Sequence, residues 1–140
     1  MRMQTFSITL VVVFASTLLA GVPQKDGTAK VGGEVSFSRE VFPVIKRNCL
    51  PCHAEAEFNP SELFLDSHEL LMAGGKHGPA VVPGKPTESL LVQKLGEKPP
   101  FGDRMPLDPK RKKGQPSKKA LSEDEVKMIS RWIEQGGKDN

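Results

Sequence analysis

A small all-α fold of about four helices joined by long loops is what this 140-residue sequence predicts. Two observations carry that expectation. No run alternates apolar and polar β-branched residues, and the pair Val81-Val82 is fenced by prolines. Apolar residues instead recur at three- and four-residue spacing in short segments that begin with capping residues and end at glycine.

Taken in order, the first helix carries Phe37, Val41, Val44, Ile45 and Asn48 and runs into Cys49. Pro43 lies inside that pattern, tolerable in a first turn or as a kink, so the start is fixed only to within several residues. Ser67 caps a short second helix through Leu70, Leu71 and Met72, ended by Gly74-Gly75. Pro86-Thr87-Glu88-Ser89 opens a third, with Leu90, Leu91, Val92 and Leu95, closed by Gly96. The fourth is the best defined. Ser122 and Glu125 form a capping box, the acidic first turn suits the positive end of the helix dipole, and Val126, Ile129, Trp132 and Ile133 make the apolar stripe before Gly136-Gly137. This helix is expected to cross the first.

Ahead of these elements, Met1 to Thr5 carries one charge, Arg2, and an apolar run follows from Phe6 to Ala20. The pattern predicts a signal peptide over 1–21, shorter than the roughly 20 apolar residues of a spanning helix. Residues 22–34 hold few large apolar groups and predict a flexible linker. The folded domain is assigned to 35–140. The protein is expected in the periplasm or otherwise exported, with membrane contact only if the N-terminal segment is retained.

Both cysteines of the chain fall in Cys49-Leu50-Pro51-Cys52-His53. Cys-x-x-Cys-His is the attachment pattern of a c-type haem. Two thiols three residues apart on one turn can each add to a vinyl group, and the next imidazole points at the iron. Other readings of two cysteines ask for more. A structural zinc site wants four ligands, and a redox Cys-x-x-Cys belongs in a βαβ setting. A disulfide between Cys49 and Cys52 would leave a haem-free domain. With seven Phe, one Trp and no Tyr, the core is short of large flat groups, and a haem would serve as its centrepiece.

His53 supplies one axial ligand to such a haem, and the candidates for the other are Met72, Met105, Met128, His68 and His77. Met105 is favoured. It lies in Pro99-Pro100-Phe101-Gly102-Asp103-Arg104-Met105-Pro106-Leu107, too rich in proline and glycine for a helix, and Pro106 biases it to an extended backbone. Met72 and Met128 lie on helices, where methionine usually fills gaps in the core. His68 is assigned to a short exposed helix and His77 to a glycine-rich loop. Thioether ligation raises the reduction potential relative to bis-His and closes the iron to substrates. An open or displaceable sixth position would describe a haem enzyme or a gas or redox sensor instead. Arg104 and Trp132 are candidate donors to a haem propionate.

The formal net charge of +3 becomes +2 when Arg2 is removed with the signal, so net charge says little. Its distribution says more. Residues 98–119 hold eight basic residues (Lys98, Arg104, Lys110, Arg111, Lys112, Lys113, Lys118, Lys119) against Asp103 and Asp108. Beside a haem edge they would steer an acidic redox partner; otherwise they are a solvated loop. Nucleic acid is not expected, because the run is short and has no interleaved aromatics.

With these motifs in place, the chain resembles the class I-like monohaem cytochromes c, and more narrowly the planctomycete-type cytochrome c domain. The matching stretches are Val35 to Ile45 running into Cys49-Leu50-Pro51-Cys52-His53, then Leu65-Asp66-Ser67, Gly74-Gly75, and Gly78 to Pro86 with Ser89-Leu90-Leu91. Arg104-Met105-Pro106 and Trp132-Ile133 complete the series. The basic insert after Met105 departs from the pattern. The resemblance implies thioethers at Cys49 and Cys52, iron held by His53 and Met105, and one covalent haem c per chain. It implies a carrier of single electrons rather than an enzyme.

Overall fold

The computed structural model describes residues 33–50, 52–108, 110 and 120–140. Outside the described residues lie the expected signal peptide, nearly all of the expected linker, Pro51 of the cysteine motif, and Arg111, Lys112, Lys113, Lys118 and Lys119 of the basic run.

Four α-helices form among the described residues: α1 (Phe42–Asn48), α2 (His68–Ala73), α3 (Leu90–Leu95) and α4 (Glu123–Glu134). A π-helical turn, Phe37–Val41, leads into α1, and a 3-10 turn, Pro86–Glu88, precedes α3. No strand is present among the described residues, where the sole pairing of that kind is an isolated bridge between Gly75 and Gly78.

The first predicted helix is thus two pieces. The main-chain N–H groups of Glu40 and Val41 both reach the Ser36 carbonyl, at 3.0 and 3.2 Å, and that of Phe42 reaches Phe37. Pro43 has no N–H to hold an α register with Arg39, so the wider turn gives up nothing at that position. Pro43 then stands in the first turn of α1, where no donor is needed. The third helix also differs from expectation. Pro86–Glu88, read as its opening, form a separate 3-10 turn, and Ser89 at the N-cap position makes no side-chain cap bond. Its hydroxyl is fully buried, accepts from the Val82 N–H (2.9 Å) and donates to the Lys85 carbonyl (2.9 Å), pinning the Val82–Lys85 turn under α3.

Local caps appear where the sequence placed them. Ser67 Oγ accepts from the Leu70 N–H at 3.2 Å. Ser122 Oγ accepts from the Glu125 N–H at 3.2 Å, while the Glu125 carboxylate accepts from the Ser122 N–H at 2.9 Å. That main-chain bond holds the Glu125 carboxyl below the ordinary glutamate range; partial burial opposes the shift, and the Ser122 hydroxyl and Arg47 add to it. A depressed folded pKa stabilises fully above the unfolded value, about 4.3, and the stabilisation is lost as pH falls through the folded one. Ser122→Ala should therefore cost about 1 kcal/mol at neutral pH. In acid, where the Ser122 hydroxyl no longer stabilises a charged Glu125 carboxylate, the penalty should shrink by that part; denaturation midpoints of the two proteins at both pH values would check this.

The core joins Phe37, Val41, Val44 and Ile45 to Leu65, Leu71, Val81 and Leu95 and to Ile129, Trp132 and Ile133 of α4. Helix α4 is the common wall. It packs on the π turn, on the 3-10 turn and on α3. The expected crossing over the first helix takes this form, and Arg47 at the end of α1 meets Glu125 at 3.3 Å.

The residues after α4 close back on the π turn. The Asn140 main-chain oxygen accepts from the Ser38 N–H (3.0 Å) and from the hydroxyls of Ser36 and Ser38 (2.9 Å each), and its Oδ1 accepts from the Phe37 N–H at 2.7 Å. Gln135 bonds Val35 and Gly33. Residues 33 and 34, assigned to the linker, are thus tied to the folded unit, Glu34 through Lys138 at 2.7 Å.

Candidate cofactor site

Helix α1 delivers the cysteine motif. The Cys49 N–H bonds the Ile45 carbonyl at 2.8 Å as the helix ends, and the His53 N–H bonds the Cys49 carbonyl at 3.1 Å. That last bond brings the backbones of Cys49 and His53 together. Both thiols are free; Cys49 is half-buried against the core and Cys52 is exposed. Burial first, and the neighbouring Cys52 second, push the Cys49 thiol up to about 11, so it is a thiol rather than a thiolate at neutral pH.

The imidazole of His53 is oriented by the loop that follows it. Its Nδ1 lies 3.0 Å from the Leu63 carbonyl oxygen. A carbonyl only accepts, so Nδ1 carries the proton and Nε2 is left as a lone-pair donor. Metal-ligating histidines are commonly fixed in this way. The loop itself is closely tied. The Leu65 N–H returns to the His53 carbonyl at 2.9 Å, and the Lys76 N–H reaches the Ser61 carbonyl at 2.9 Å. Glu62 adopts φ 55°, the left-handed region that favours glycine, at the residue just before Leu63.

Gly75 permits this arrangement. A Cβ there would meet the Ser61 carbonyl oxygen at 2.7 Å and the Leu63 backbone nitrogen at 2.9 Å. Gly75→Ala should force the 61–63 segment away and destabilise the fold by about 1–3 kcal/mol, as overpacking does. A lowered denaturation midpoint with an unchanged slope is the expected readout.

Met105 rests on a separate support, α3. Its N–H bonds the Lys94 carbonyl at 2.8 Å, and Arg104 Nε donates to the Leu95 carbonyl at 2.8 Å. Lys94 Nζ donates to the Phe101 carbonyl at 2.6 Å and lies 4.6 Å above that ring. Met105 is half-buried and Pro106 buried. No hydrogen bond among the described residues joins Met105 to His53.

The other candidates are engaged elsewhere. His77 packs on Phe101 with the rings tilted by 38° and their centroids 4.4 Å apart. His68 is half-buried rather than exposed. Its Nε2 is 2.7 Å from the Gly137 carbonyl oxygen, and its ring meets Phe37 and Trp132 edge-on at 5.0 and 6.0 Å. Met72 and Met128 pack on the core from α2 and α4. Of the candidate propionate donors, Trp132 spends its N–H on the Lys138 carbonyl at 2.9 Å, and Arg104 spends its Nε on Leu95. Trp132 is therefore a core residue whose single donor is used internally.

Among the described residues, no three His, Cys, Asp or Glu side chains converge as a metal cage. The donor set fits a haem c instead: two free thiols and the His53 imidazole, oriented through its Nδ1, all within five positions of sequence. Half-buried apolar side chains, including Leu50, Leu63, Leu91 and Val92, pack on the adjoining core with part of their surface open.

Residues 49–106, the segment that holds this site, match the family model described as Planctomycete cytochrome C, which supports a planctomycete-type cytochrome c domain there. No curated protein and no solved structure matches the chain.

Sequence reasoning did not find Asn59, Ser61 and Leu63, which orient His53. The contact to Leu63 is made by a main-chain carbonyl, which any residue type would supply, so no side-chain signal pointed to it. It also missed the grip of Asn140 on Ser36, Phe37 and Ser38, made across more than a hundred positions of sequence.

Proposed function

We propose that the chain is an exported monohaem c-type cytochrome that passes single electrons between redox partners. Cys49 and Cys52 would form the thioethers, and His53 and Met105 would be the axial ligands. The observation that carries this reading is the Leu63 carbonyl oxygen 3.0 Å from Nδ1 of His53 in the Cys-x-x-Cys-His motif, which favours the tautomer that leaves Nε2 free to bind iron. When bound, the haem supplies the one-electron couple. The protein supplies the ligands, keeps their geometry fixed so that little reorganises on electron transfer, and excludes water with its apolar rim. No residue acts as acid, base or nucleophile, and on this reading the protein is not an enzyme.

Protein made together with a haem-attachment system should carry one covalent haem per chain by the pyridine haemochrome assay. Its visible spectrum should be low-spin and carry the long-wavelength thioether-to-iron band. Absence of covalent haem would overturn the reading. Carbon monoxide binding by the untreated reduced protein at neutral pH would favour a sensor or enzyme with a displaceable ligand.

Docking is proposed at the Met105 side. Lys94, Lys98, Arg104 and Lys110 lie on or near the loop that carries Met105 in sequence, where they would attract an acidic redox protein. Electron transfer to such a partner should slow steeply as salt is added.

A further inference from the structure

We propose that Asn59 is a positioning residue that sets the donor strength of His53 by sharing the Leu63 carbonyl oxygen with it. The proposal rests on the reading of His53 as an iron ligand.

Asn59 Nδ2 donates to the Leu63 oxygen at 2.6 Å, and His53 Nδ1 lies 3.0 Å from the same atom. The amide orientation is not arbitrary. Asn59 Oδ1 accepts from the Ser61 main-chain N–H at 3.1 Å and from its hydroxyl at 2.6 Å, so the other end must be the NH2 group. Nδ2 and Nδ1 stand 3.3 Å apart; with the proton on Nδ1, as the Leu63 carbonyl requires of a hydrogen bond there, both are donors aimed at one acceptor.

A carbonyl oxygen has two lone pairs and can take both donors, but not independently. Each N–H draws electron density from the same oxygen, so the shorter bond from Asn59 weakens the longer one from His53. A strong bond at Nδ1–H makes the imidazole more basic and a better partner for ferric iron. Asn59 limits that gain. Its amide dipole also presents a partial positive charge to the ring, which disfavours the more highly charged oxidised state. Both effects favour ferrous iron, so Asn59 raises the reduction potential above what a lone histidine–carbonyl pair would give.

The test uses the full haem-loaded chain. Asn59→Leu removes the donor at nearly constant size, and Asn59→Ala removes it with less demand on space. Ser61→Ala loosens the anchor of Asn59 but leaves its NH2 group in place. Both Asn59 variants should show a lower reduction potential than the parent and a His53 Nδ1–H proton resonance moved downfield, while Ser61→Ala stays near the parent in both. An unchanged or raised potential in the Asn59 variants, with covalent haem and low-spin spectrum intact, overturns the proposal. Equal shifts in Ser61→Ala and the Asn59 variants overturn it too, because they would mean a general loosening of the loop. A parent chain without covalent haem, or a low-spin spectrum that survives His53→Ala, overturns the underlying reading and this proposal with it.

Discussion

On the proposed His53/Met105 ligation, replacing Met105 with alanine is expected to convert a closed iron site into an open one. The reduced variant should bind carbon monoxide where the parent does not, lose the thioether-to-iron band, and show a lower reduction potential because the ligand that favours ferrous iron is gone. The loop should stay in place, since its attachment to α3 runs through the Met105 N–H and the Arg104 side chain rather than through the thioether. This separates loss of a ligand from loss of fold. His77→Ala is the companion measurement. If His77 were the ligand, that variant would open the site and Met105→Ala would not.

Trp132→Ala should be the most damaging single change to stability. The side chain is only 1% exposed and lies 5.4 Å from Phe37 between ring centroids. It also presents its edge to His68 and gives its N–H to Lys138. Truncation leaves a cavity where the π turn, α2 and α4 meet, and strands the Lys138 carbonyl. Large aromatic truncations cost about 3–5 kcal/mol, against a total of about 5–15 kcal/mol for a domain. A large fall in the denaturant midpoint is the expected result. Trp132→Phe restores much of the volume without the donor, so it should fall between the two.

What the sequence revealed in advance was mainly local. The box of Ser122 and Glu125, the Ser67 cap and the turn from Cys49 to His53 join residues three or four positions apart, and their residue types state the geometry directly. The stripe of Ile129, Trp132 and Ile133 was equally plain, because period and hydrophobicity agree. Two readings failed for identifiable reasons. Pro86-Thr87-Glu88-Ser89 looked like the opening of one helix, but Pro86–Glu88 form a separate 3-10 turn and the buried Ser89 hydroxyl is turned to the Val82–Lys85 turn. His68 looked exposed because its helix is short and polar at the start, yet its ring edges against Phe37 and Trp132. Spacing shows which residues share a face; it cannot show which distant face will arrive. In the site, Met105 was singled out from its loop chemistry, whereas the support of His53 came from a backbone carbonyl that any sequence could offer.

The bonds that fasten the Met105 loop to α3 have a dynamic side. A helix of six residues leaves its last carbonyls without partners of its own, and here Lys94 and Leu95 find theirs in Met105 and Arg104. The loop is therefore a stopper on the C-terminal end of α3. A fluctuation that swings the Met105 backbone outward must leave the Lys94 carbonyl without that partner, so it weakens the last turn of the helix as well. The lifetime of the loop's closed state is thus written partly in the helix beside it.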